Sequence, residues 1–164
     1  MKLFVYGSLL SNFAASSLLP EGADRKPARM TGRLYHCRHC GFPAVVIPEA
    51  AVHAAGSDKY QEDESLENTI PVPEKQQFDG DWGQVQGELV TFDDPETVMP
   101  IIDRYEGYSR SDPLYRRSLI PVETAQGSVW AWIYHFNSEE DIAKVGISYQ
   151  RIRHGSWAKF ALNT

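Results

Sequence analysis

Hydrophobic and polar positions change rhythm several times along the chain. Residues 2–6, Lys-Leu-Phe-Val-Tyr, form a short apolar run that reads as a buried strand, broken by Gly7-Ser8. Residues 10–18 read as a short helix with Phe13, Ser17 and Leu18 on one side, ended by Pro20 and Gly22. Residues 30–35 and 44–47 read as strands, joined by the turn-rich Cys37-Arg38-His39-Cys40-Gly41-Phe42-Pro43. In residues 85–91, Val85, Gly87, Leu89 and Thr91 alternate with Gln86, Glu88 and Val90, as in a strand. The clearest helix follows. Asp94 suits an N-cap and Pro95 the first helical position. Val98, Ile101, Ile102 and Tyr105 recur at helical spacing as one apolar face, and Gly107 is placed to stop the helix. Glu106 therefore falls on its last turn. Residues 115–122 and 128–135 pair as a hairpin around residues 123–127, and Ser138 with Glu139, Glu140 and Asp141 starts a short helix. Strands outnumber helices in irregular order, which predicts an α+β domain with a curved or barrel-like sheet.

Composition narrows this reading. A chain of 164 residues with 42% hydrophobic content fits a single domain over 1–164 with a full core. Four Trp, eight Tyr and seven Phe fill that core and suggest a pocket with hydroxyls turned inward. The net charge of -6 is unevenly placed. Residues 49–81 hold nine acids and two Lys, so this stretch carries the acidity and the remainder is nearly neutral. Neither part is basic enough to expect nucleic acid as a partner. Residues 49–83 lack periodicity and read as an acidic loop or lid excursion, with Trp82 as its anchor. No apolar run approaches the ~20 residues that span a bilayer, so no membrane partner is expected. Tyr6, Gly7, Ser8, Ser11 and Asn12 interrupt any signal-peptide core, and a cytoplasmic location is expected.

Three features carry candidate chemistry. Glu106 sits where a helix C-terminus disfavours negative charge, beside Tyr105 and Tyr108. Burial among rings would raise its proton affinity further, toward the range of a general acid/base. The competing reading is a solvated Glu at a frayed helix end. The Tyr6-Gly7-Ser8-Leu9 turn leads from strand to helix and presents free backbone N–H groups, suited to carboxylate or oxyanion. It lacks the length and the Lys of a phosphate-binding loop. Cys37 and Cys40, with His36 and His39 nearby, have no second Cys pair to complete a zinc site and no redox βαβ context. No metal and no cofactor is expected.

Taken together, Val5-Tyr6-Gly7-Ser8-Leu9 and Asp103-Arg104-Tyr105-Glu106-Gly107-Tyr108 resemble the two signatures of the gamma-glutamylcyclotransferase-like superfamily. Weaker likenesses fall in the same order. They are Gly32-Arg33-Leu34-Tyr35, Phe42-Pro43-Ala44-Val45, Val85-Gln86-Gly87-Glu88-Leu89, Tyr115-Arg116-Arg117 and Trp132-Ile133-Tyr134. Gly155-Ser156-Trp157 carries Ser156 where the family usually has Asp. The resemblance covers nearly the whole chain except residues 49–81. It implies a small mixed, barrel-like sheet with flanking short helices. It implies that the Tyr6-Gly7-Ser8-Leu9 turn holds the amino-acid end of a gamma-glutamyl group and that Glu106 is the acid/base. The reaction implied is cyclisation by the substrate's own α-amine, releasing 5-oxoproline, with no protein nucleophile and no metal. Tyr6 and Tyr115 are candidate hydrogen-bond donors to the substrate. Arg117 is read as an exposed strand residue in preference to a carboxylate partner.

Two rival readings remain open at this point. The same pocket, catalytically silent, would serve as a small-ligand-binding module. A hydrolase or acyltransferase with Ser8 as nucleophile is a third reading, but the Gly-x-Ser-x-Gly setting is missing. Neither the leaving amine nor the oligomeric state is legible in the sequence.

Overall fold

The computed structural model describes residues 1–39, 41–74, 76–108, 115–144 and 148–162. Its framework is built from strands β1 (Lys2–Val5), β2 (Asp24–Cys37), β3 (Phe42–Val46), β4 (Ala54–Ala55), β5 (Gly83–Thr91), β6 (Arg116–Thr124), β7 (Gly127–His135) and β8 (Tyr149–Arg151). In β1, Leu3, Phe4 and Val5 are all buried, so this strand cannot lie at an edge. It runs between β5, antiparallel, and β7, parallel. The long β2 pairs with β5 along nearly the whole of that strand and touches β6 at Ala28 and Arg29. That last contact closes β2-β5-β1-β7-β6 into a five-stranded mixed barrel, with β3, β4 and β8 as additions. The architecture is the α+β, barrel-like domain expected from the sequence.

The hairpin forms where predicted but is longer. Thr124 pairs with Gly127, leaving Ala125-Gln126 as a two-residue connection. Among the described residues four helices flank the sheet: α1 (Tyr60–Thr69), α2 (Pro95–Glu106), α3 (Glu139–Lys144) and α4 (Trp157–Ala161). None is long and apolar enough to cross a membrane. Helix α2 has the predicted caps. Asp94 accepts from Thr97 N–H at 3.2 Å, and Gly107 takes the left-handed conformation at φ 71°. Its buried stripe is rotated from the predicted one. Val98, Met99, Ile102 and Asp103 face inward, while Ile101 and Tyr105 are exposed.

Two other expectations are corrected. Residues 10–18 form turns followed by a short 3-10 helix, Ala14–Leu18, in place of one helix over the whole stretch. The excursion at 49–83 is not a loop alone. It holds a 3-10 turn (Glu49–Ala51), β4 and α1. Helix α1 buries carboxylates, not an apolar face: Asp63 and Glu67 lie inward, and Glu67 accepts from Lys2 N–H at 2.9 Å.

Candidate functional site

Where β1 ends, the chain turns sharply, and the turn sits against Pro43 of β3. A side chain at Gly7 would place its Cβ 2.3 Å from Pro43 Cγ, so the turn approaches this closely only with glycine. Leu10 N–H closes the turn on the Gly7 carbonyl at 3.0 Å. The N–H groups of Ser8 and Leu9 meet no acceptor among the described residues. Facing the turn is the last turn of α2. Between them lies a cavity of about 320 Å³, lined by the Tyr6-Gly7-Ser8-Leu9 turn, Glu106, Tyr105, Tyr115, Tyr134, Phe42 and Pro43 among others. All six residues singled out in the sequence thus line one cavity: Tyr6, Gly7, Ser8, Leu9, Glu106 and Tyr115.

Burial raises the Glu106 carboxyl from the ordinary range to about 7. Protonated and ionised forms then coexist near neutrality. The flanking phenols respond in the same direction. Tyr6 and Tyr115 are held well above 10, first by burial and then by neighbouring groups that include Glu106. They are neutral at any physiological pH.

The hydroxyls of Tyr6 and Tyr115 are not free donors, as had been expected. Tyr6 donates to the Tyr134 carbonyl at 2.9 Å and Tyr115 to the Pro43 carbonyl at 2.8 Å. With their protons committed to backbone, both oxygens are left with acceptor capacity. Across the cavity mouth, Tyr105 donates to Ser8 Oγ at 2.9 Å and bridges α2 to the turn. The Ser8 hydroxyl is therefore engaged by a phenol.

Arg117 also departs from expectation. It is 1% exposed and pairs with Asp103 at 2.5 Å and Asp63 at 2.9 Å. The lid reading of residues 49–83 meets a different geometry. None of the described residues in that range lines the cavity. Trp82 instead lies under the Arg33 guanidinium, 4.3 Å from its ring centroid. Cys37 is buried, and Cys40 lies outside the described residues. Among the described residues no group of three or more His, Cys, Asp or Glu is arranged to hold a metal. Sequence reasoning missed Tyr134, Tyr105, Phe42 and Pro43 as cavity walls. Their signal was present in the quoted motifs, but as strand positions or as a helix face.

A small mixed barrel with one raised carboxyl opposite a glycine-tight turn defines the class of site. Comparison gives the family: residues 67–159 match gamma-glutamyl cyclotransferase, AIG2-like, and the chain belongs to that family. Two solved structures share the fold. YkqA from Bacillus subtilis has a TM-score of 0.56 at 22% identity, over 96% of this chain and 39% of that one. The chain thus spans well under half of the Bacillus protein. PH0828 from Pyrococcus horikoshii, described as an uncharacterized protein, has a TM-score of 0.55 at 16% identity, over 99% and 94% of the two chains. No curated protein matches the chain. Family membership supports a cyclotransferase-type function in general.

Proposed function

We propose that the protein is a metal-independent gamma-glutamyl cyclotransferase that releases 5-oxoproline from a gamma-glutamyl amine or amino acid, with Glu106 as general acid/base. The observation that carries the reading is the shared cavity: a carboxyl raised to about 7 faces a turn whose Ser8 and Leu9 N–H groups are unengaged among the described residues.

The chemistry follows from these groups. The substrate arrives with an α-ammonium and a side-chain amide in one molecule, so the site mainly has to fold it into a near-attack shape. Ionised Glu106 takes a proton from the ammonium. The freed amine attacks the amide carbon and forms the lactam C–N bond. The N–H groups of Ser8 and Leu9 steady the oxyanion or hold the substrate carboxylate. Glu106 then gives its proton to the leaving nitrogen as the old C–N bond breaks, takes the second proton from the new ring nitrogen, and passes it to the released amine, which departs as an ammonium and leaves Glu106 ionised again. The oxygens of Tyr6 and Tyr115, with acceptor capacity left, suit the substrate's N–H groups.

The test is a screen of gamma-glutamyl compounds for 5-oxoproline, using chelator-treated protein and Glu106→Gln as control. Wild-type protein is expected to release 5-oxoproline, and the Gln variant to lose about 10²–10⁴ in kcat. A Gln variant as active as wild type overturns the mechanism. Binding without release from any compound favours a silent ligand-binding module.

A further inference from the structure

Three residues before Glu106, the same helix carries a second carboxylate, Asp103, which is buried. It accepts from Arg117 Nη1 at 2.5 and 2.6 Å, from the Tyr60 hydroxyl at 2.9 Å, and from the Tyr134 hydroxyl. These donors come from β6, α1 and β7. Arg117 Nη2 donates onward to Asp63 of α1 at 2.9 Å and to the Ser57 carbonyl. The Arg117 guanidinium lies 4.8 Å from the Tyr108 ring centroid, and Tyr108 donates to the Gly56 carbonyl at 2.6 Å. The main chain closes on the same residue. Tyr108 N–H meets the Asp103 carbonyl at 2.8 Å, the bond that closes the wider loop of a helix-ending Schellman turn. Glu106 therefore sits inside a loop of backbone whose first residue is anchored at both side chain and carbonyl.

A buried ion cluster is weak evidence for stability, because an apolar cluster of equal volume holds elements together as well. What ionic hydrogen bonds add is direction, since Arg presents a fixed planar fork. Here the direction is imposed on the terminal turn of a helix, the part that otherwise frays.

We propose that Asp103 is a positioning residue: the Arg117, Tyr134 and Tyr60 cluster holds it, fixes the last turn of α2, and so aims Glu106 into the cavity. Helix α1 belongs to this support through Tyr60 and Asp63. That gives the acidic excursion a role behind the site instead of over it. The proposal rests on the functional reading for what Glu106 does, but not for where it points. The titratable side chains lining the cavity with Glu106 are Tyr6, Tyr105, Tyr115 and Tyr134, and the Cys37 thiol of β2 acts on Tyr6 and Tyr115.

The experiment follows the Glu106 carboxyl by NMR of glutamate-labelled protein, with the resonance assigned by its loss in Glu106→Gln. Arg117→Lys and Tyr60→Phe leave the net charge unchanged, so a shifted titration reports altered surroundings and not a lost charge. In folded Arg117→Lys, Glu106 is expected to titrate about a unit or more lower than in wild type as it gains access to water. The same variant should lose roughly 10- to 100-fold in kcat with KM changed less than about threefold, the signature of a misplaced group. Tyr60→Phe should move both in the same direction by less, and it carries the test if Arg117→Lys does not fold. An unchanged Glu106 titration in the folded variants overturns the proposal, whatever happens to kcat. If wild type releases no 5-oxoproline, the functional reading fails, while the titration still decides whether this cluster positions Glu106.

Discussion

A carboxyl walled by tyrosine rings holds its proton more tightly than one in water, and for Glu106 this has a consequence beyond catalysis. Its affinity is about 7 in the folded protein and near 4.5 without that burial. Between those values the native state binds more protons than the unfolded state, so stability falls as pH rises from about 4.5 to about 7. Below that window the contribution is fully present. Glu106→Gln removes the titration. The variant is expected to match wild type near pH 4 and to exceed its stability by roughly 2–3 kcal/mol near pH 8, measured by urea unfolding. A constant difference across that range would show that Glu106 is not buried in its ionised form. Glu106 and the Tyr6-Gly7-Ser8-Leu9 turn were legible because each depends on local sequence: a helix end and a strand break. Arg117 was not. In the pair Arg116-Arg117, only the first is exposed, and both faces of β6 are covered over residues 117–120, so alternation gives no inward parity to read. Its inward place depends on Asp63 and Asp103, far away in sequence.

At the level of elements, α2 separates what holds a helix from what aims it. Asp94 caps the far end through Thr97 N–H. Asp94→Ala should cost about 1 kcal/mol in stability. Because the N-cap is remote from the cavity, kcat should stay within twofold of wild type, roughly the noise of such comparisons. Gly107→Ala forces a side chain into a left-handed position at φ 71°. It should cost a similar ~1 kcal/mol but also lower kcat, because the strain falls on the turn carrying Glu106. Equal activity in the two variants, measured together with thermal unfolding, would show that the end of α2 is not what aims the carboxyl. The caps made this helix legible, and even so its buried stripe lay one position off. Met99 and Asp103 face inward where Ile101 and Tyr105 were expected. Helix α1 escaped altogether for a clear reason. Its inward residues are Asp63 and Glu67, so a search for apolar periodicity finds nothing. Residues 10–18 erred the other way: polar and small residues at helical spacing settled into 3-10 turns.

For the whole molecule, the acidic segment and the barrel prove to be one structure. A curved or barrel-like sheet was legible from the order of strands. The pairing that closes it was not, since the β2 to β6 contact joins Ala28 and Arg29 to Thr124 and Glu123 across almost a hundred residues. The acidic segment was read as a loop or lid excursion because its residues lack periodicity. In space, its partners are internal. Asp63 meets Arg117, Tyr60 meets Asp103, Glu67 meets the main chain of β1, and the Gly56 carbonyl takes the Tyr108 hydroxyl. A lid can be cut away at little cost to folding; a buttress cannot. Deleting residues 56–78 would leave Arg117 with Asp103 alone and open both to water from the side α1 now covers. Breaking a buried ionic arrangement in this way typically costs about 3–5 kcal/mol. At roughly 2–4 °C per kcal/mol for a chain of this size, Tm should fall by about 10 °C or more, or the protein should fail to fold. A deletion variant that keeps the wild-type Tm and substrate turnover would return the segment to the status of a dispensable loop. A variant that keeps its Tm but loses turnover would instead make α1 a part of the site's geometry and not of the fold's stability.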